Sequence, residues 1–193
     1  MNGKSYIKFN KVIALTGAGC SKASGIPTFE EVDGLKQKLT VEYRKSEPEK
    51  LKAAMEALKA SVRDKEPNDA HFALAEYDVP IITMNVDGLH QKAGSKVVYE
   101  LHGSVAEDNI VLYGEDVHCY DEAYDLLDAN VGTPDNRVCL LIIGTSMQTQ
   151  LANDLKWYAC THCNIQVIEI HEDAEHKVRW FLENTMHKKT EDF

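Results

Sequence analysis

The 193-residue sequence contains no apolar run near the roughly 18 residues that a membrane-crossing helix requires, so no membrane span is expected. The opening Met1-Asn2-Gly3-Lys4-Ser5-Tyr6 lacks the apolar stretch of a secretory leader. The five cysteines are odd in number and follow no framework spacing. A disulfide scaffold is thereby excluded, and a reducing, cytoplasmic setting is expected. Excess positive charge is missing too: 21 Lys and Arg stand against 31 Asp and Glu, a formal net charge of −10 spread along the chain. That balance opposes nonspecific binding to nucleic acid or an anionic membrane. It suits a basic partner such as a lysine-bearing protein, and solubility alone explains it equally well. No internal repeat or low-complexity tract is present. What remains is an ordinary globular composition, 44% apolar and 27% charged, read as one domain over residues 1–193.

Five apolar, β-branched runs at residues 12–15, 80–83, 97–101, 138–143 and 165–170 read as strands covered on both faces. Helical patterns separate them, and the alternation predicts a doubly wound parallel α/β sheet of Rossmann type. Residues 31–66 read as a small, charged helical insert. Within it Ser46-Glu47-Pro48-Glu49 has the form of a capping box with proline in the first turn. Leu51, Met55, Leu58 and Val62 follow at helical spacing. A last helix starts near Asp173 and puts Val178, Phe181 and Leu182 on one face.

The stretch most suggestive of chemistry is Gly17-Ala18-Gly19-Cys20-Ser21-Lys22-Ala23-Ser24-Gly25-Ile26-Pro27, directly after the first strand. Glycine tolerates positive φ and close backbone approach, and the first N–H groups of a helix favour an anion. A nucleotide or dinucleotide ligand is one reading, with Gly17, Ala18 and Gly19 offering N–H groups to a pyrophosphate. A plain strand-to-helix turn is the other.

Further motifs follow in order: Pro67-Asn68-Asp69-Ala70-His71, Thr83-Met84-Asn85-Val86-Asp87-Gly88-Leu89-His90, Glu100-Leu101-His102-Gly103, Tyr113-Gly114-Glu115 and Ile143-Gly144-Thr145-Ser146. In this order and spacing the chain resembles the sirtuin family of NAD-dependent protein deacylases. The resemblance implies a sirtuin-type Rossmann-like domain, NAD as cofactor and an acyl-lysine protein or peptide as partner. His102 then matches the catalytic base, with Asn85 and Asp87 recognising the nicotinamide carboxamide. Ser21, Ile26, Pro27, Met84 and Val86 fall in the cofactor site, and Phe29 would shield the reactive ribose. Gly144, Thr145 and Ser146 would line the ribose or phosphate path, and His171 and Glu172 stand where the adenosine side is contacted. Val111, Tyr113, Gly114 and Glu115 resemble the segment that pairs with substrate backbone as an added strand. The part of 31–66 after the glycine stretch would act as a clasp over the cofactor, or as a surface helical hairpin.

Blander readings stand beside these. Asp87 suits an Asx turn capping the next helix; His102 suits a satisfied polar residue at a strand end; Phe29 suits the core; Thr145 or Ser146 suits a helix N-cap. His71 and His90 read as helix residues that hold the fold.

The sequence also departs from the family. Glu30 replaces an arginine, reversing a charge near the cofactor, with Lys22 or Lys36 as compensating cations. Met84 replaces an amide. The zinc module is missing, because residues 104–112 carry no cysteine. The only close pair, Cys160-Thr161-His162-Cys163, is a poor tetrahedral set, so two thiols are expected rather than zinc. Tyr43-Arg44 does not match the Tyr-x-x-Arg of succinyl-preferring members. The reaction implied is acyl transfer from lysine to ADP-ribose with release of nicotinamide. NAD hydrolysis or ADP-ribosyl transfer at the same site, and non-catalytic sensing of NAD or ADP-ribose, are the competing functions.

Overall fold

The structure, a computed structural model, describes residues 6–27, 31, 35–147 and 149–186. Its centre is β1 (Lys11–Thr16), whose last five residues are buried. β1 pairs in parallel with β2 (Ile81–Thr83), Ala14 opposite Ile81, and with β4 (Val138–Ile143), Thr16 opposite Ile143. β3 (Val98–Glu100) joins the outer edge of β2, and β5 (Gln166–Ile170) joins β4. The order is β3-β2-β1-β4-β5, all parallel. This is the expected doubly wound sheet, whose direction of winding reverses between β1 and β4.

The strand period of two sorts the apolar runs into layers. Val12, Ala14, Cys139, Leu141 and Ile143 face a layer holding Leu74, Val178, Phe181 and Leu182. These come from α4 (Asp69–Glu76) and α8 (Ala174–Thr185). Ile13, Leu15, Leu140 and Ile142 face Leu127, Ala152, Leu155 and Ala159. That second layer is α6 (Tyr120–Asp128) and α7 (Gln150–Thr161). Each fully buried Leu or Ile contributes roughly 1.5–3 kcal/mol, so these alternating positions dominate the stability of the fold. β5 differs from expectation: Gln166 and Glu169 are exposed, because an edge strand has only one covered flank.

The insert is helical as expected, comprising α1 (Leu35–Lys38), α2 (Val41–Ser46) and α3 (Pro48–Arg63). Its small core joins Leu39 and Leu51 to Leu112, apart from both sheet layers. The capping box at Ser46 does not form. Ser46 ends α2 and turns its hydroxyl back to the carbonyls of Glu42 and Tyr43 at 3.1 and 3.4 Å. Glu47 takes the N-cap of α3 without a side-chain bond, and Pro48 occupies the first turn. Among the described residues a capping box forms at α4 instead. Asn68 Oδ1 accepts from Ala70 N–H at 3.0 Å, and His71 Nδ1 accepts from Asn68 N–H at 3.2 Å. Among the described residues no helix is long and apolar enough to cross a membrane.

Candidate active site

Two loops meet where the sheet reverses its winding. Gly17 N–H donates to Ile143 O at 2.9 Å, Gly19 N–H to Gly144 O at 2.7 Å, and Gly144 N–H to Ile170 O at 2.8 Å. A Cβ on Gly19 would lie 2.7 Å from Gly144 Cα, and one on Gly17 would lie 2.8 Å from Thr145 Cβ. Glycine is therefore required here for close approach of the loops. This corrects the reading of Gly17 and Gly19 as N–H donors to a pyrophosphate, because both N–H groups already bind the end of β4. The following segment, Ala18–Ser24, is a 3-10 helix closed by Gly25 at φ 75°, rather than the start of an α-helix. The result is a floor of two closely packed backbones, nearly bare of side chains, where Gly17 and Gly19 meet Gly144 and Thr145.

A buried polar cluster lies beside that floor, with Ser21 at its centre. Ser21 Oγ donates to Asp87 Oδ2 at 2.6 Å and accepts from Asn85 Nδ2 at 3.2 Å. Asn85 also donates from Nδ2 to Gly17 O at 3.1 Å, and its backbone N–H binds Thr83 Oγ1 at 3.0 Å. With the amide nitrogen committed to the fold, Oδ1 is the atom left to meet a ligand. Asp87 realises the turn reading as well, since Oδ1 accepts from Leu89 N–H at 3.0 Å at the start of α5 (Leu89–Lys92). A carboxylate has acceptor capacity beyond these two bonds, so capping and ligand recognition are compatible.

His71 and His90 belong to this cluster, a placement that sequence reasoning missed. Asn68 N–H occupies His71 Nδ1, so neutral His71 carries its proton on Nε2, which lies 3.4 Å from Ser21 Oγ. Burial pushes the His71 imidazole down to about 4, against a smaller opposing pull from Asp87. The signal was available in Pro67-Asn68-Asp69-Ala70-His71, where a capping asparagine orients a histidine three residues on.

His102 follows β3 and is half-buried. Burial lowers its pKa below the usual imidazole value, and the neighbouring His118 adds to the effect. It lines a cavity of about 150 Å³ together with Met84, Val86, Val111, Leu58 and Tyr113. Val111 N–H donates to His102 O at 3.0 Å and fixes one wall to the other. Met84 turns its sulfur toward the Thr149 hydroxyl at 3.4 Å.

The segment expected to receive a substrate strand is partly occupied by the chain itself. Tyr113 N–H donates to Leu39 O at 2.8 Å, and Val41 N–H donates to Tyr113 O at 3.1 Å. Glu115 Oε2 accepts from Leu112 N–H at 2.9 Å, and Oε1 pairs with Arg44 at 2.6 Å. The Leu112 bond and Arg44 hold the Glu115 carboxyl below its ordinary range. Strand addition at Tyr113 is thus excluded in this arrangement, and Gly114, at φ 97°, breaks the extended run. This corrects the expectation for Tyr113, whose backbone edge is taken; Val111, Tyr113, Gly114 and Glu115 all line the His102 cavity.

Thr145 is buried beside Gly17, and Ser146 is exposed. Neither caps α7, whose N-cap is Thr149, accepting from Ala152 N–H at 3.4 Å. His171 is exposed, with Nδ1 3.1 Å from Thr145 O and Nε2 2.7 Å from Glu169. These contacts hold it at the mouth of the floor, next to the exposed Glu172. Ile26 is buried and Pro27 exposed. Phe29 and Glu30 lie outside the described residues. Lys22, a suggested compensating cation, is paired with Glu31 at 2.6 Å. The Cys160–Cys163 pair diverges: Cys160 is exposed, and buried Cys163 points its thiol at Asp128 Oδ1, 3.4 Å away.

A parallel sheet in this order, with close-packed glycine loops and an amide–carboxylate pair at the strand ends, has the doubly wound α/β architecture on which dinucleotide-binding proteins are built. Residues 17–109 match the Sir2 family. The chain is 30% identical over 192 residues to the NAD-dependent protein deacetylase of Bacillus subtilis, covering 72% of this chain and 74% of that protein. It is 41% identical over 119 residues to the NAD-dependent protein deacetylase of Saccharolobus solfataricus, covering 56% of this chain and 48% of that protein. A Sir2 homologue solved as an NAD complex has the same fold, with a TM-score of 0.78 and 24% identity, over 90% of this chain and 88% of that one. The chain belongs to the Sir2 family. It spans about half the length of several of the curated relatives it matches.

Proposed function

We propose that this protein is an NAD-dependent protein lysine deacylase. The observation that carries the reading is that Met84 and Val86, which line the His102 cavity, flank Asn85 of the polar cluster along the chain. The cluster in turn bonds the glycine junction, because Asn85 Nδ2 donates to both Gly17 O and Ser21 Oγ. The floor suits NAD because a phosphate chain needs close backbone approach, and the cluster suits a carboxamide because Asn85 Oδ1 accepts while the Asp87 carboxylate receives N–H. When bound, NAD supplies the ribose carbon that an acyl oxygen attacks as nicotinamide leaves. Ser21 holds the Asp87 carboxylate in position, and His71 supports Ser21. The His102 imidazole, neutral at physiological pH, takes a proton from a ribose hydroxyl. The apolar walls of Leu58, Met84, Val86 and Val111 exclude water from the acyl group. With Arg44 engaged by Glu115, the walls favour uncharged acyl groups over dicarboxylic ones.

The test is nicotinamide release from NAD with and without an acetyl- or butyryl-lysine peptide, beside His102→Ala. Release that requires the peptide and is lost in the variant is expected. Equal release without peptide would replace the reading with NAD hydrolysis or transfer to another acceptor, and NAD binding with no release on any acyl peptide would leave a sensor.

A further inference from the structure

Cys20, His71 and His90 converge under the Ser21 cluster, in the layer between the sheet and α4. All three are buried, and their ligand atoms lie within 4.8 Å of one another. The hydrogen bonds fix which atoms are available. Thr16 Oγ1 donates to Thr83 Oγ1 at 2.7 Å. Its remaining role toward His90 Nε2, 3.0 Å away, is to accept, so Nε2 carries the His90 proton. His90 Nδ1 is then a bare lone pair, and it is buried without a hydrogen-bond partner. An unsatisfied acceptor of this kind is costly and uncommon. The Cys20 thiol shares the space, and the mechanism proposed above uses neither group. His71 is a less available ligand, because Asn68 N–H holds its Nδ1 and binding through Nε2 would require the other tautomer.

We infer that Cys20 Sγ and His90 Nδ1 form a binding site for a soft monovalent metal ion, copper(I), with His71 as the adjoining wall. Three arguments select this ion. A thiolate with an imidazole is a soft donor pair, which favours copper(I) over hard cations. The exchange is balanced as Cys20–SH plus Cu⁺ giving Cys20–S–Cu plus a proton released to solvent. It leaves no net charge in the interior, whereas a divalent ion would bury one positive charge. Metal–sulfur and metal–imidazole bonds of about 2.3 and 2.0 Å let one ion bridge two donors up to about 4.3 Å apart. With ligand atoms of the three residues within 4.8 Å of one another, side-chain rotation within the cluster brings Cys20 Sγ and His90 Nδ1 to that span. Entry proceeds by local opening of the Ala18–Ser24 turn, which is short and 3-10 in form. Because Cys20 precedes Ser21, the bound ion would restrain the residue that links Asn85 and Asp87.

The test is anaerobic titration of the full chain with copper(I) against a competing chromogenic chelator, using Cys20→Ala and Cys160→Ser. One equivalent held against the chelator, lost to the chelator in Cys20→Ala and unchanged by Cys160→Ser, is expected. Failure to retain copper, loss of the bound equivalent in Cys160→Ser, or retention in Cys20→Ala would overturn the assignment. A second readout needs no variant. Silver(I), a redox-inert probe, should shift the ¹⁵N resonance of His90 Nδ1 at one equivalent, and an unmoved resonance would refute the site.

Discussion

Replacing Gly144 with alanine tests the claim that the two loops at the sheet reversal require bare backbones. Gly144 sits at φ 61°, in the left-handed region, where an L-residue costs roughly 1–2 kcal/mol. The added Cβ would lie 2.2 Å from Cys20 N and 2.4 Å from Gly19 C. These are backbone atoms, so the Ala18–Ser24 turn must move away from β4 and break the Gly19–Gly144 bond; overpacking of this kind adds roughly 1–3 kcal/mol. The combined loss is roughly 2–5 kcal/mol. At roughly 2–4 °C per kcal/mol for a chain of this size, Tm should fall by roughly 4–20 °C. Gly88 provides the control, with φ 71° and nothing within 4 Å of its Cβ position. Gly88→Ala carries only the conformational term of roughly 1–2 kcal/mol. Calorimetric melting of both variants separates strain from collision. Equal shifts, or an unchanged Tm for Gly144→Ala, would refute the close-approach reasoning.

Two further outcomes follow from the buried groups of the site. His71 is held down to about 4 in the folded protein against the ordinary imidazole value of about 6.5, so between those values the unfolded chain binds more protons and stability rises with pH. The contribution, about 3 kcal/mol, is complete above the unfolded value and lost as pH falls toward the folded one; denaturant titrations from pH 7 to pH 4 should show this, and His71→Asn should flatten the slope. Met84→Gln places an amide beside the Thr149 hydroxyl, where Met84 sulfur now lies; an added hydrogen bond to the cofactor, roughly 0.5–1.5 kcal/mol, should lower the KM for NAD by roughly 2–12-fold, and an unchanged or raised KM would remove Met84 from the cofactor site.

The alternation of apolar runs with helical patterns determined the layered sheet, because a strand covered on both faces must be apolar at every position, as 138–143 is. The motif order placed Asn85, Asp87 and His102 at strand ends on the same grounds. Local sequence could not decide between competing uses of one group. Ser46 had the form of a cap, but α2 extended through it; Gly17 and Gly19 had the form of anion donors, but their N–H groups went to Ile143 and Gly144. His71 and His90 carried no periodic signal of a site, since their partners Ser21 and Thr16 are 50 and 74 residues away in sequence. The edge at Tyr113 is closed by Leu39 and Val41 from the insert, which no reading of the segment itself reveals. Periodicity and turn chemistry are properties of neighbours along the chain and can be read there. Hydrogen-bond partners at a sheet's C-terminal ends are chosen among residues from every crossover, and only the packed tertiary structure brings them together.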